Sequence, residues 1–156
     1  MDNALQDDGL EQSPEEVAFV VQIFRLLVDS VGINFQDILI LTIYNRQRRL
    51  VENALQHFIP DTFGGQNGMD RARQVVATVG TVEGKEAWVV ISTSGRSPQD
   101  QREVGENSLI DDLRDIHVIT TRAKRHMFYV GNLEFFSDSC TIWSAITNLV
   151  TPRAAN

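Results

Sequence analysis

Apolar residues recur at three- and four-residue steps along Val17, Val20, Val21, Phe24, Leu27 and Val28, which predicts a helix with one buried stripe. Ser13 suits the N-cap, Pro14 the first helical position, and Glu15 and Glu16 the positive end of the dipole, while Gly32 supplies a stop. Ile38 to Ile43 is apolar on both faces and reads as a central parallel strand. Tyr44 and Asn45 turn the chain into an amphipathic helix, Arg46 to Phe58, with Leu50, Ala54, Leu55 and Phe58 inward. Pro60 to Met69 is glycine-rich and has no periodicity, so a loop is expected there. Two β-rich runs, Val75 to Val79 and Ala87 to Ser92, flank a polar, glycine-bearing turn too short for a long helix. That turn is expected at a sheet edge, where open α/β sheets take their ligands.

Thr93 to Asn107 reads as a long polar loop. Ser108 to Arg125 carries a helical stripe in Leu109, Leu113, Ile116 and Ile119 or Thr120, although His117 to Thr121 alone would favour a strand by its β-branched content. The stripe decides for a helix. Met127 to Val130 is then the last strand, and Asp138 to Val150 a closing helix burying Ile142, Trp143, Ile146 and Leu149. Alternating helices and apolar strands predict a three-layer α/β/α sandwich with a mostly parallel sheet. It should occupy residues 13–150, between an acidic disordered lead, 1–12, and a short tail, 151–156.

Composition narrows the function classes. A chain of 156 residues with 42% hydrophobic content suits one globular domain, and its net charge of −7 argues against a simple basic nucleic-acid module. Yet eight of the fourteen basic residues gather as Arg46, Arg48 and Arg49, then Arg71 and Arg73, then Arg122, Lys124 and Arg125, so a local basic face can form. Arginines in a first helical turn oppose the dipole, which makes sense beside an anion. The single cysteine, Cys140, excludes an internal disulfide and a cysteine zinc site. No secretory leader and no apolar run near the roughly 20 residues of a membrane span can be read, so an intracellular protein, nuclear or cytoplasmic, without membrane contact is expected.

Candidate chemistry is sparse taken piece by piece. Gly80 to Glu86 resembles a phosphate-binding P-loop, but three residues separate its glycines where four are needed, and Glu86 replaces the magnesium-ligating hydroxyl. A glycine turn between strands is the alternative. His57, His117 and His126 have no carboxylate or cysteine at metal-ligand spacing, so no metal site is expected. No serine has a nucleophile-elbow context. Arg122, with Lys124 and Arg125, would suit the negative end of a helix.

The order of the pieces carries more. Read together, LTIYNRQRRL, VATVGTVEGKEAWVVIS and SLIDDLRDIHVITTRAKRHMFYVGN resemble the closing motifs of superfamily 1 helicases, nearest to the nonsense-mediated-decay and senataxin type. Thr42, Tyr44 and Gln47 match the first motif, with Ile43 in place of its proline. Thr78, Val79, Gly84, Glu86 and Val89 to Ser92 match the second, followed by Arg96 and Ser97; Gly80 and Glu83 depart from it. Arg114, Val118, Thr121, Arg122, Ala123 and Lys124 match the third, with Asp115 and His117 as departures. Ser13-Pro14 stands where the family often has Asn-Arg.

The resemblance implies the second RecA-like motor domain of a helicase. Arg122 would be an arginine finger toward the γ-phosphate, Gly84, Glu86, Tyr44 and Gln47 would serve the nucleotide, and Thr78 and Arg96 a single-stranded nucleic-acid backbone. The cofactor implied is ATP with Mg, both held mainly by a first RecA-like domain in the same or another chain. No Walker A loop is present here, so this chain alone is expected to hold half a site and not to hydrolyse ATP. Two other readings stand beside this one. The four motif departures fit a degenerate, non-catalytic binding module, and an unrelated nucleotide-binding α/β domain would bind ATP unaided.

Overall fold

The computed structural model describes residues 13–59, 67–82, 84–93, 95 and 113–131. The helix expected at Asp138–Val150 and nearly all of the loop expected after Thr93 lie outside them.

Strand β1 (Ile38–Thr42) pairs in parallel on both sides and is buried at all five positions, because both faces of the sheet are covered there. The sheet has four parallel strands in the order β2-β1-β3-β4, with β2 at Val76–Thr78, β3 at Ala87–Thr93 and β4 at Ala123–Val130. Successive side chains alternate between its faces. Ile38, Ile40, Val76, Val89 and Ile91 point to one face and pack with helices α1 (Pro14–Arg25), α2 (Asn45–Leu55) and α3 (Gly68–Val75) through Val20, Phe24, Val51, Leu55, Ala72 and Val75. Leu39, Leu41, Ala77 and Val90 point to the other, where Val82 and, from helix α4 (Leu113–Thr121), Val118 cover them. Among the described residues this is the α/β fold that the pattern predicts.

Local chemistry explains the helix limits. Ser13 Oγ accepts from the Glu16 N–H at 3.3 Å, and Pro14 follows it, so α1 starts as read. Its last turns widen into a π-helix, Leu26–Val31, which ends where Gly32 takes φ +82°, a left-handed conformation that favours glycine. In α2 the inward side chains are Gln47, Val51, Glu52 and Leu55; Leu50 and Ala54 are half-buried, and Phe58 is exposed with the Arg25 guanidinium 4.6 Å from its ring centroid.

Three expectations are corrected. Gly68 and Met69 belong to α3, not to a loop, because Asn67 Oδ1 caps the helix by accepting from the Asp70 N–H at 2.8 Å. Val75 accordingly closes that helix and the strand begins at Val76. The helix read to Arg125 stops at Thr121, and Ala123 to His126 join β4, so Lys124 and Arg125 line a strand. His117 to Thr121 are helical despite their β-branched content, with Thr121 Oγ1 donating to the His117 carbonyl at 2.7 Å.

The segment between β2 and β3 is the third. It is not a turn at one edge, since β1 lies between those strands and all three run the same way. Residues 79–86 must return from the carboxyl end of β2 to the amino end of β3, about 20 Å along the strands. The link covers that distance through two turns as it crosses the face of β1, one closed by the Thr81 N–H to the Thr78 carbonyl and one by the Lys85 N–H to the Val82 carbonyl. Val82, buried at its middle, takes the place of a crossover helix. A strand rather than a helix follows Glu86, which removes the P-loop reading.

Candidate functional site

Parallel strands give the sheet two unlike rims. At the carboxyl rim Thr78, Thr42 and Thr93 stand in register across β2, β1 and β3, all buried. Thr42 Oγ1 donates to the Tyr44 carbonyl at 3.3 Å, and Tyr44 is buried just ahead of α2. Gln47 is fully enclosed. Its Nε2 donates to the Ser13 carbonyl and to Thr93 Oγ1, both at 3.2 Å, while its Oε1 accepts from the Ser13 N–H at 2.8 Å. Thr93 Oγ1 donates in turn to Glu16 Oε1 at 2.7 Å, which also accepts the Gly95 N–H at 3.2 Å. Gly95 has φ +76°, and a Cβ there would lie 2.8 Å from Gln47 Cβ. One buried network thus ties the start of α1, the first turn of α2 and the end of β3. Thr78 is tied locally, its hydroxyl 2.9 Å from that of Thr81, and Gly80 and Thr81 of that turn are exposed.

The amino rim holds Gly84, Glu86 and Arg122, roughly 15–20 Å from the Thr row by strand length. Gly84 takes φ +66° in the turn closed by the Lys85 N–H to the Val82 carbonyl at 2.9 Å, and no atom lies within 4 Å of where its Cβ would be. Glu86 is exposed beside it. Arg122 fills the bend between α4 and β4, and its carbonyl accepts from the Ala87 N–H at 3.1 Å. Its side chain is half-buried, and Nε is buried without a hydrogen-bond partner. A guanidinium N–H left unsatisfied costs on the order of 1–3 kcal/mol or more.

The fold therefore sets Arg122, Gly84 and Glu86 at one rim, and Tyr44, Gln47 and Thr78 at the opposite one. Arg96 and Glu83 lie outside the described residues. Among the arginines of α2, Arg48 finds an anion within the chain: its Nη1 lies 2.7 Å from Glu52 Oε1, which is itself nearly buried. No three His, Cys, Asp or Glu side chains among the described residues gather to hold a metal. Nor is any described helix long and apolar enough to cross a membrane.

Sequence reasoning missed Glu16 as a network member, since its place in a first helical turn already accounted for it. Trp88 was passed over as one more apolar strand residue, although it is half exposed, and the Arg125 guanidinium lies 5.3 Å from its ring centroid.

Comparison with known proteins gives concordant results. The family described as AAA domain matches residues 4–134. A Caenorhabditis elegans protein named NFX1-type zinc finger-containing protein 1 homolog is 27% identical over 149 residues, 90% of this chain and 6% of that protein. The Arabidopsis thaliana DNA replication ATP-dependent helicase/nuclease JHS1 is 28% identical over 127 residues, 81% of this chain and 8% of its own length. The chain thus spans less than a tenth of either relative.

Proposed function

This chain belongs to the AAA domain family, and on that premise we propose that it is the second RecA-like motor domain of a superfamily 1 helicase. The observation that carries the reading is Arg122. Its guanidinium Nε is buried without a hydrogen-bond partner, and its carbonyl bonds the N–H of Ala87, the residue after Glu86, at the amino rim. Two supports stand with it: the name of one relative, an ATP-dependent helicase/nuclease, and the three ordered motifs.

ATP with its Mg ion would be held mainly by a first RecA-like domain, and would supply the phosphoryl group to be transferred. Arg122 donates its fork to the phosphoryl oxygens and neutralises charge that builds there during transfer. Gly84, whose missing side chain keeps the backbone open, lets the nucleotide approach closely. Glu86 faces the nucleotide's sugar side. At the other rim the turn after Thr78 follows a single-stranded nucleic-acid backbone, and Arg96 serves the same backbone, a contact blind to sequence and weakened by salt. At that rim Gln47 fixes how α1, α2 and the end of β3 meet, and Tyr44 is buried just ahead of α2.

Joined to a RecA-like first domain, the chain is expected to show nucleic-acid-stimulated ATPase that Arg122→Ala lowers by roughly a thousandfold or more. Equal rates in the two proteins would remove Arg122 from its role.

A further inference from the structure

We propose that Trp88, braced by Arg125, is a stacking platform for the base of the nucleoside triphosphate whose phosphates meet Arg122; this rests on the nucleotide reading above. Trp88 belongs to an interior strand whose six other residues are all buried, yet 49% of its surface is open to water. An indole gains much by burial, so an exposed one within a covered strand is informative. Its neighbourhood is also irregular. Ala87 pairs with Ala123 and Val89 with His126, so β4 carries one residue more than β3 across that step. The extra residue sets both Lys124 and Arg125 opposite Trp88, and such bulges re-aim side chains. Arg125 is aimed at the indole, 5.3 Å from its centroid.

That contact holds the ring in place by cation–π attraction and brings a positive charge to it. A ring has two faces, and Arg125 occupies one. The bend residue Arg122 adjoins this platform, since its carbonyl bonds the N–H of Ala87, the residue before Trp88. Described residues 84–88 and 122–126 include four cations, Lys85, Arg122, Lys124 and Arg125, against one carboxylate, Glu86, in a chain of net charge −7. A flat apolar surface beside concentrated positive charge matches a base joined to phosphates. Single-stranded nucleic acid is held by successive aromatic rings along a basic groove, whereas the described amino rim offers one indole.

The test uses the 156-residue chain with Trp143→Phe, so that Trp88 is the sole tryptophan reporting fluorescence. At millimolar concentration ATP is expected to quench Trp88 and to bind about tenfold tighter than inorganic tripolyphosphate, the difference being the stacked base. Trp88→Ala, read by competition with a fluorescent ATP analogue, removes that advantage; Trp88→Phe retains most of it; Arg122→Ala weakens both ligands alike. Far-UV circular dichroism confirms that each variant is folded. Equal affinity for ATP and tripolyphosphate, both still dependent on Arg122, overturns the platform and leaves the nucleotide reading standing. Binding of either ligand that ignores Arg122 overturns that reading instead. Quenching of Trp88 by a single-stranded oligonucleotide but not by ATP also overturns the platform.

Discussion

The two rims of this sheet are built on opposite terms. At the carboxyl rim Gln47, Thr93, Glu16, Thr42 and Thr78 are buried and each has a named partner. At the amino rim Arg122 Nε has none, Trp88 is half exposed, and Gly84 and Glu86 face water. A satisfied polar network stabilises and positions, whereas a buried charged donor without a partner is a cost. Both rims resemble helicase motifs in sequence; the physics separates a scaffold from a site.

Gln47→Leu is the harshest test of this division. It keeps the volume and strands the Ser13 N–H, while the Ser13 carbonyl keeps the Val17 N–H and Thr93 Oγ1 keeps Glu16, so urea unfolding should show a loss of about 2–3 kcal/mol. Arg122→Ala in the same assay should stay within about 0.5–1 kcal/mol of the natural chain, because it removes a group that had no partner to lose. A reversal of that order would break the comparison. Gly95→Ala comes next: φ +76° and the 2.8 Å approach to Gln47 Cβ predict a loss of roughly 1–3 kcal/mol. Ser92→Ala has the smallest expected effect and the opposite sign. Ser92 neighbours Thr93 but points to the other face, fully buried, with its Oγ unpaired. Removing that hydroxyl should leave stability unchanged or raise it by up to about 1 kcal/mol.

Much of this could be read from the chain beforehand. Ser13 and Pro14 announce α1, the two-faced run at Ile38 announces an interior parallel strand, and the motif order singles out Arg122, Gly84 and Glu86 along with Tyr44, Gln47, Thr78 and Arg96. What escaped did so for physical reasons. Helix α3 is eight residues long and starts at a glycine, so neither periodicity nor propensity marks it; Asn67 was its one signal. The link of residues 79–86 reads as a turn because nothing local records that β1 lies between β2 and β3. Gln47 matched a motif and was assigned to the nucleotide by that match. That its amide is spent on Ser13 and Thr93, 34 and 46 residues away in sequence, could be seen only once the chain was folded.

The central claim, that Arg122 Nε waits for an acceptor, can be observed directly. In the chain joined to a first RecA-like domain, the Arg122 Nε–H resonance, assigned with Arg122→Lys, should move downfield when ATP and Mg saturate the site. An unmoved Nε–H at saturating ATP would contradict the account.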